Sequence, residues 1–372
     1  MKKNVLITGG AGFIGSHLCD ELLQHRYQVK VLDSLIGQVH GTSQQRPEYL
    51  DSEVELIIGD VRDPLAVSKA LKKTDAVFHF AARVGVGQSM YEIQEYTDVN
   101  NIGTAVLMEA LAKQPVERLV VASSMSIYGE GLYKTSEGKI LYNAERTLAQ
   151  LKKGNWELET VNNEALIPIA TPENKQPSLA SVYALSKYDQ EKMSLICGRA
   201  YNIPTVALRF FNVYGTRQAL SNPYTGVLAI FASRLLNNNP PLIFEDGLQK
   251  RDFVSVKDVS KACRLAMESE EAAGEVFNIG SGNSYTVIEI AEKLQKILGK
   301  NQVKATTTGK YRVGDIRHCY ADISKARKIL KYEPEVSLSE GLEELAEWLE
   351  VQVAVDNVDQ AKEELASRGL TV

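Results

Sequence analysis

A short apolar run, NVLIT at residues 4–8, passes directly into Gly9-Gly10-Ala11-Gly12-Phe13-Ile14-Gly15, and the chain then takes up helical spacing at Phe13, Ile14, Leu18 and Leu22. A strand, a glycine turn and a helix in that order leave few folds open. Gly9, Gly12 and Gly15 follow GxxGxxG spacing, which permits a tight turn and brings backbone close to a ligand. A pyrophosphate can then sit on the helix N-terminus, where free N–H groups and the dipole favour anions. Asp33 ends the next strand, VKVLD at 29–33, and stands 18 residues past Gly15. A carboxylate there accepts hydrogen bonds from the adenosine ribose and repels a 2′-phosphate, so the cofactor expected is NAD rather than NADP.

Further β-like runs follow at 54–60, 76–82, 118–124 and 205–211, with helical segments between them. This alternation predicts an α/β fold, a Rossmann-type doubly wound parallel sheet covered on both faces. After residue 211 the pattern breaks into loops and short elements, as expected of a smaller α/β substrate-binding lobe. EVFNIGSG at 275–282 reads as a strand that can return to the main sheet, and 287–299 and 342–355 have helical periodicity. The domains expected are 1–211 for cofactor, 212–350 for substrate and a helical tail over 351–372. Residues 132–177 are polar and irregular. They read as a surface insertion with one short helix near 144–153, or as a cap over the site or a subunit contact.

The bulk numbers exclude several classes. A net charge of −5 argues against a nucleic-acid surface, which needs concentrated Lys and Arg. No stretch approaches the roughly 18 apolar residues of a membrane span, and glycines interrupt the N-terminal apolar run, against a signal peptide. Cys19, Cys197, Cys263 and Cys319 lie far apart without CxxC pairing, which suits reduced thiols in a cytoplasmic protein and no metal site.

Two further clusters carry chemistry. Tyr183 and Lys187 are four residues apart, so on a helix the phenol and ammonium share a face, and a nearby cation favours phenolate. Ser123, Ser124 and Ser126 close a strand just before Tyr128-Gly129; a hydroxyl at that edge can point into the ligand crevice or simply cap the strand end.

TGGAGFIG, Asp33, GDVRD (59–63), ASSMSIYG (122–129), YALSK (183–187), RFFNVYG (209–215) and RDFVSVKD (251–258) occur in this order. Together they resemble the extended short-chain dehydrogenase/reductases that modify nucleotide sugars, over roughly residues 4–335. The resemblance implies that Tyr183 is the base, Lys187 holds the nicotinamide ribose and Ser124 hydrogen-bonds the sugar, with Ser126 beside it. It also implies that Asp60 and Val61 line the adenine site, that Phe80, Ala81 and Asn100 approach the cofactor, and that Asn212, Arg251 and Arg312 bind the diphosphate. Arginine forks suit paired anionic oxygens. The partner expected is therefore a nucleotide-diphosphate sugar.

The branches of that family differ at the strand end. Its dehydratases carry Thr-Asp-Glu there, because eliminating water needs an extra acid and base, whereas this chain has Ser124-Met125-Ser126. The chemistry that remains needs only a base, a hydroxyl and NAD, and 4-epimerisation through a transient 4-keto sugar fits best. Alternatives are a nucleotide-sugar dehydrogenase or reductase and, less well, a 4,6-dehydratase; a non-catalytic NAD-binding scaffold predicts loss of Tyr183, Lys187 or Ser124. GVGQSMYEI (85–93), residues 222–247 and the tail over 355–370 resemble the bacterial dTDP-L-rhamnose 4-epimerases and their near relatives. Some relatives hold zinc through cysteine pairs in the enlarged segment, but residues 132–177 contain none, so no metal is expected. Members usually dimerise through two long helices. The candidates are near 97–113, with Val99, Ile102, Val106 and Ala110, and near 181–201, with Val182, Leu185, Met193, Leu195 and Ile196.

Overall fold

The computed structural model describes residues 3–41, 44–312, 314–352 and 355–371. Seven strands build its main sheet: β1 (Asn4–Thr8), β2 (Gln28–Asp33), β3 (Glu55–Ile58), β4 (Ala76–His79), β5 (Arg118–Ser124), β6 (Thr205–Phe210) and β7 (Val276–Ile279). Their order is β7-β6-β5-β4-β1-β2-β3, with every pairing parallel. The order reverses between β1 and β4, and a doubly wound sheet opens its ligand crevice outside the carboxyl ends at such a switch point. Thr8 is in register with both Leu32 and His79, and Ser124 with Phe210, so these residues mark the crevice rim.

Alternate strand residues face opposite layers. Val5, Ile7, Phe78 and Val120 join one core, where α1 (Phe13–Gln24) contributes Leu18 and Leu22. Leu6, Val77, Leu119 and Val121 join the other, covered by α2 (Pro64–Leu71) and α3 (Gly103–Lys113). The long helix α4 (Val182–Ala200) packs on this second face through Met193 and Cys197. Because both faces are covered, all seven residues of β5 are buried.

Three strands stop short of their expected ends. The runs 54–60, 76–82 and 275–282 pair only over 55–58, 76–79 and 276–279, which leaves Asp60, Phe80 and Ala81 on crevice loops. Residues after 211 are more helical than their sequence suggests, with α5 (Val227–Leu236) and α6 (Val256–Glu268). α6 packs Val259, Ala262 and Cys263 into the core shared with α1, and β7 then joins β6, so residues 256–279 return to the main sheet. The lobe has its own core, where α5 meets α7 (Val287–Ile297) and α8 (Leu338–Leu349). α8 begins earlier than the expected 342 because Ser337 and Glu340 form a capping box. It ends at Leu349, and residues 353 and 354 of the expected helical stretch lie outside the described residues. A last helix, α9 (Val358–Ser367), forms in the tail. Among the described residues no helix is long and apolar enough to cross a membrane.

The insertion has more structure than a surface loop. Its helix, Leu148–Lys152, falls inside the expected window, but Leu132–Lys134 also pairs antiparallel with Ile140–Leu141 and Ile167–Ile169. Tyr133, Leu158 and Leu166 form a small core beneath it. Arg146 bonds Glu130 at 3.0 Å and Glu245 at 2.6 Å, while the fully buried Arg317 bonds Glu245 at 3.0 Å and Asp246 at 2.6 Å and also pairs with Glu157. Charges removed from water in this way must be paired. The pairing fastens the insertion to the 315–318 loop of the lobe.

Candidate active site

Two cavities meet at the carboxyl edge of the sheet. The first, about 400 Å³, runs from the glycine turn to Tyr183. Gly9 has φ +71°, and a Cβ there would stand 2.8 Å from the Ala81 nitrogen; one at Gly15 would stand 2.6 Å from Gly10 Cα. Packing therefore requires those two glycines. Gly12 is different, since a Cβ there would meet only Gly9 O at 3.4 Å and would otherwise occupy the trough. The α1 N-terminus beside it has no side-chain cap and no acidic residue in its first turn. An open backbone cradle at an uncapped helix start fits a dinucleotide pyrophosphate.

Phe13, Ile14 and Gly15 line the same trough, and Asp33 lies at its ribose end. One Asp33 oxygen accepts from Ala11 N–H and the other from Leu35 N–H, both at 2.9 Å, which fixes the carboxylate against the glycine turn. His40, which the sequence did not single out, stands 3.8 Å from Asp33; burial lowers its pKa while Asp33 works the other way. Asp60 and Val61 also line the trough. Burial tends to raise the Asp60 carboxyl, but its forked bonds to Arg62, the shortest 2.7 Å, hold it below the usual range. Arg62 belongs to the GDVRD run and could have been flagged there.

Phe80 and Ala81 reach the trough; Asn100 does not. Asn100 is fully buried behind the wall, where Oδ1 accepts from Arg83 N–H at 2.7 Å and Nδ2 donates to Arg83 O and Ser186 Oγ. The structure thus places it as a brace for the 81–83 loop instead of a lining residue, because the helix carrying it runs beneath that loop.

Ser123, Ser124 and Ser126 are told apart by their partners. Ser123 donates to the buried Glu191 at 2.7 Å, in a pair that Arg209 completes, so it is structural. Ser124 lines both cavities and accepts from the Ser126 hydroxyl at 2.9 Å. Tyr183 also lines both, and its phenol is hydrogen-bonded to Ser124. The expected phenolate-favouring balance is not what the fold gives. Burial raises the Tyr183 pKa and the Ser124 bond only partly opposes this. Lys187 instead donates to Gln190 Oε1 at 2.7 Å, and burial pushes its pKa down to about 7 against the pull of Glu191. Gln190 in turn donates to Thr104 at 2.9 Å, and His79 bridges Thr104 at 2.9 Å and Thr8 at 2.8 Å. His79 carries no sequence signal, since its partners are distant along the chain, whereas Gln190 stands three residues from Lys187 on the same helix.

The second cavity, about 360 Å³, extends from Ser124, Met125 and Ser126 into the lobe and includes Asn212, Arg251 and Arg312. Asn212 Oδ1 is buried without a hydrogen-bond partner among the described residues. Arg251 donates to Lys250 O and Arg317 O at 3.0 and 2.9 Å, and Arg312 lies 4.2 Å over the Phe244 ring. Asp315 sits 3.4 Å from Arg251 and 3.8 Å from Arg312. Burial works to raise its carboxyl, yet Arg312 and Arg251 hold it below the ordinary carboxylate range.

Comparison with known proteins agrees with this geometry. The model of the NAD dependent epimerase/dehydratase family matches residues 5–148, and that of GDP-mannose 4,6 dehydratase matches residues 166–345. The chain is 34% identical to a dTDP-L-rhamnose 4-epimerase of Burkholderia thailandensis, over 93% of this chain and 95% of that one. Among solved structures, UDP-glucose 4-epimerase of Thermotoga maritima with UDP-glucose matches at TM-score 0.75 and 32% identity, covering 93% of this chain and 98% of that one. UDP-glucuronic acid 4-epimerase of Bacillus cereus, in complex with UDP-glucuronic acid and NAD, matches at TM-score 0.76 and 31% identity, over 93% and 99% of the two chains. The chain belongs to the NAD-dependent epimerase/dehydratase family, as an extended short-chain dehydrogenase/reductase of the nucleotide-sugar 4-epimerase type.

Proposed function

We propose that this protein inverts C4 of a dTDP- or UDP-linked hexose, with dTDP-L-rhamnose the first substrate to test. The observation that carries the reading is the shared wall. Ser124 and Tyr183 border both the cofactor trough and the lobe cavity, so a sugar held in the second presents its ring to both side chains. Bound NAD supplies a reversible hydride acceptor at C4. Tyr183 takes the O4 proton as the C4–H electron pair departs, Ser124 holds O4, and Lys187 anchors the cofactor ribose. The 4-keto sugar turns while Arg251, Arg312 and Asn212 keep the diphosphate in place, and Tyr183 returns the proton as hydride adds to the other face.

The match to a 4,6-dehydratase model over the lobe favours a second reading, elimination of water. That reaction needs an acid and a base where this chain has Met125 and Ser126. Glu130, the next carboxylate along, is consumed by Arg146 and by the backbone N–H of Arg317. The test is to denature purified protein, identify the released nucleotide, and incubate native protein with dTDP-, UDP- and GDP-sugars. Released NAD and a C4 epimer without net NADH are expected. A 4-keto-6-deoxy product or stoichiometric NADH would overturn the assignment.

A further inference from the structure

The tail beyond α8 is joined to the walls of the lobe cavity along its length. Val355 N–H and the Asn357 amide bond Ser221, at 3.0 and 2.9 Å. Arg234, on α5 and almost fully buried, pairs with Asp356 at 3.4 Å and Asp359 at 3.0 Å. Midway along α9, Glu364 Oε2 accepts from the Tyr224 phenol at 3.2 Å, and Tyr224 in turn accepts from the Tyr91 phenol at 2.6 Å. Tyr224 lines the cavity, and Tyr91 follows its lining residue Met90. At its far end the tail forms an antiparallel bridge between Thr371 and Arg312. This path places Ala361, Lys362 and Leu365 on the cavity wall with Arg251 and Arg312. Lys362 is half-buried, and among the described residues it has neither a hydrogen-bond nor an ion-pair partner.

An ammonium without a protein partner, on a cavity wall shared with two guanidinium groups, is free to pair with an anionic ligand. We propose that α9 is the outer wall of the nucleotide-sugar site and that Lys362 supplies a third cation to the substrate diphosphate. The inference rests on the lobe cavity being the nucleotide-sugar site. It assigns the tail a binding role: Glu364 and Arg234 are positioning residues, and Lys362 touches substrate.

Binding of UDP and dTDP to the full chain, followed by calorimetry, tests this without turnover. Lys362→Met is expected to weaken both nucleotides about tenfold, the loss typical of one charge-assisted phosphate contact. Lys362→Arg should keep affinity within about threefold, and added salt should weaken wild type more than Lys362→Met. UDP should also slow tryptic cleavage of the tail at Lys362 and Arg368. Lys362→Met affinities within about twofold of wild type would overturn the proposal. So would a loss confined to UDP-glucuronate, which would aim Lys362 at a sugar carboxylate. Normal epimerisation with unchanged binding sinks the tail assignment alone, whereas absent epimerisation with weakened binding sinks only the reaction.

Discussion

Tyr183 must ionise in the reaction proposed, yet burial makes its phenol a weaker acid and Lys187 is itself pushed down to about 7. Burial therefore disfavours the charged form of both side chains in the free enzyme. Tyr183 and Lys187 would hold the nicotinamide end of the cofactor, and the positive charge of its oxidised form would favour phenolate over phenol there. Tyr183→Phe keeps the ring and its packing but removes the proton acceptor. Turnover should fall at least about 100-fold, while the purified variant still releases NAD on denaturation; near-normal turnover would place the base elsewhere. At this scale the sequence was informative wherever function is written in consecutive residues. The glycine turn, Asp33 and the Tyr183–Lys187 spacing all belong to that class. His79 is silent because its partners Thr8 and Thr104 lie on other elements, and Lys362 because the cavity it borders is assembled from loops distant along the chain. The Tyr183 shift runs opposite to the one its spacing from Lys187 implies, because spacing reports a neighbour on one helix whereas desolvation depends on everything packed around it.

Elements were legible where apolar periodicity was strong. All seven strands appear in the runs read for them, shortened where the crevice begins. Helices α5 and α6 lie where the sequence suggests loops and short elements, although α6 repeats its apolar residues at Val256, Val259, Cys263 and Met267, and the Ser337–Glu340 capping box marks an earlier start for α8. The insertion is not legible because its order comes largely from ion pairs with loops about a hundred residues or more away, Arg146 with Glu245 and Glu157 with Arg317. Buried histidines on two elements give a stability prediction. Burial, with help from Arg217, pushes His17 of α1 down to about 4; burial, with help from Lys187, pushes His79 of β4 down to about 3, each from 6.5. Below about pH 6.5 the unfolded chain takes up protons that the folded chain refuses, so stability present at neutral pH is lost as pH falls toward about 4. His79→Gln retains a polar link between Thr8 and Thr104. Urea melts should show its pH slope in that window shallower than wild type by up to about 1.4 kcal/mol per unit. An unchanged slope would mean that His79 titrates normally.

For the whole molecule, assembly is the open property, and the structure sorts the helical residues named for it. Val106, Ala110 and Met193 pack against the protein's own core. Ile102, Leu185 and Ile196 are 52%, 54% and 66% exposed, on helices that lie side by side. An apolar set of this kind suits a two-fold partner. Sedimentation at micromolar concentration should give about twice the 41.1 kDa chain mass, and Ile102→Glu with Leu185→Glu should give monomer. A wild-type monomer across that range would leave the face unpartnered. The return of α6 and β7 to the main sheet has a different consequence, for engineering. Because residues 256–279 supply a helix and an edge strand to the cofactor half, the substrate half is not a cassette. A chimera joined at residue 211 would import a relative's α6 and β7 against this chain's α1 and β6, and would inherit mismatched cores with its new specificity. Exchange of sugar preference is better sought in the segments at 85–92 and 222–226 and in the tail that carries α9, which change the cavity walls without cutting through the sheet.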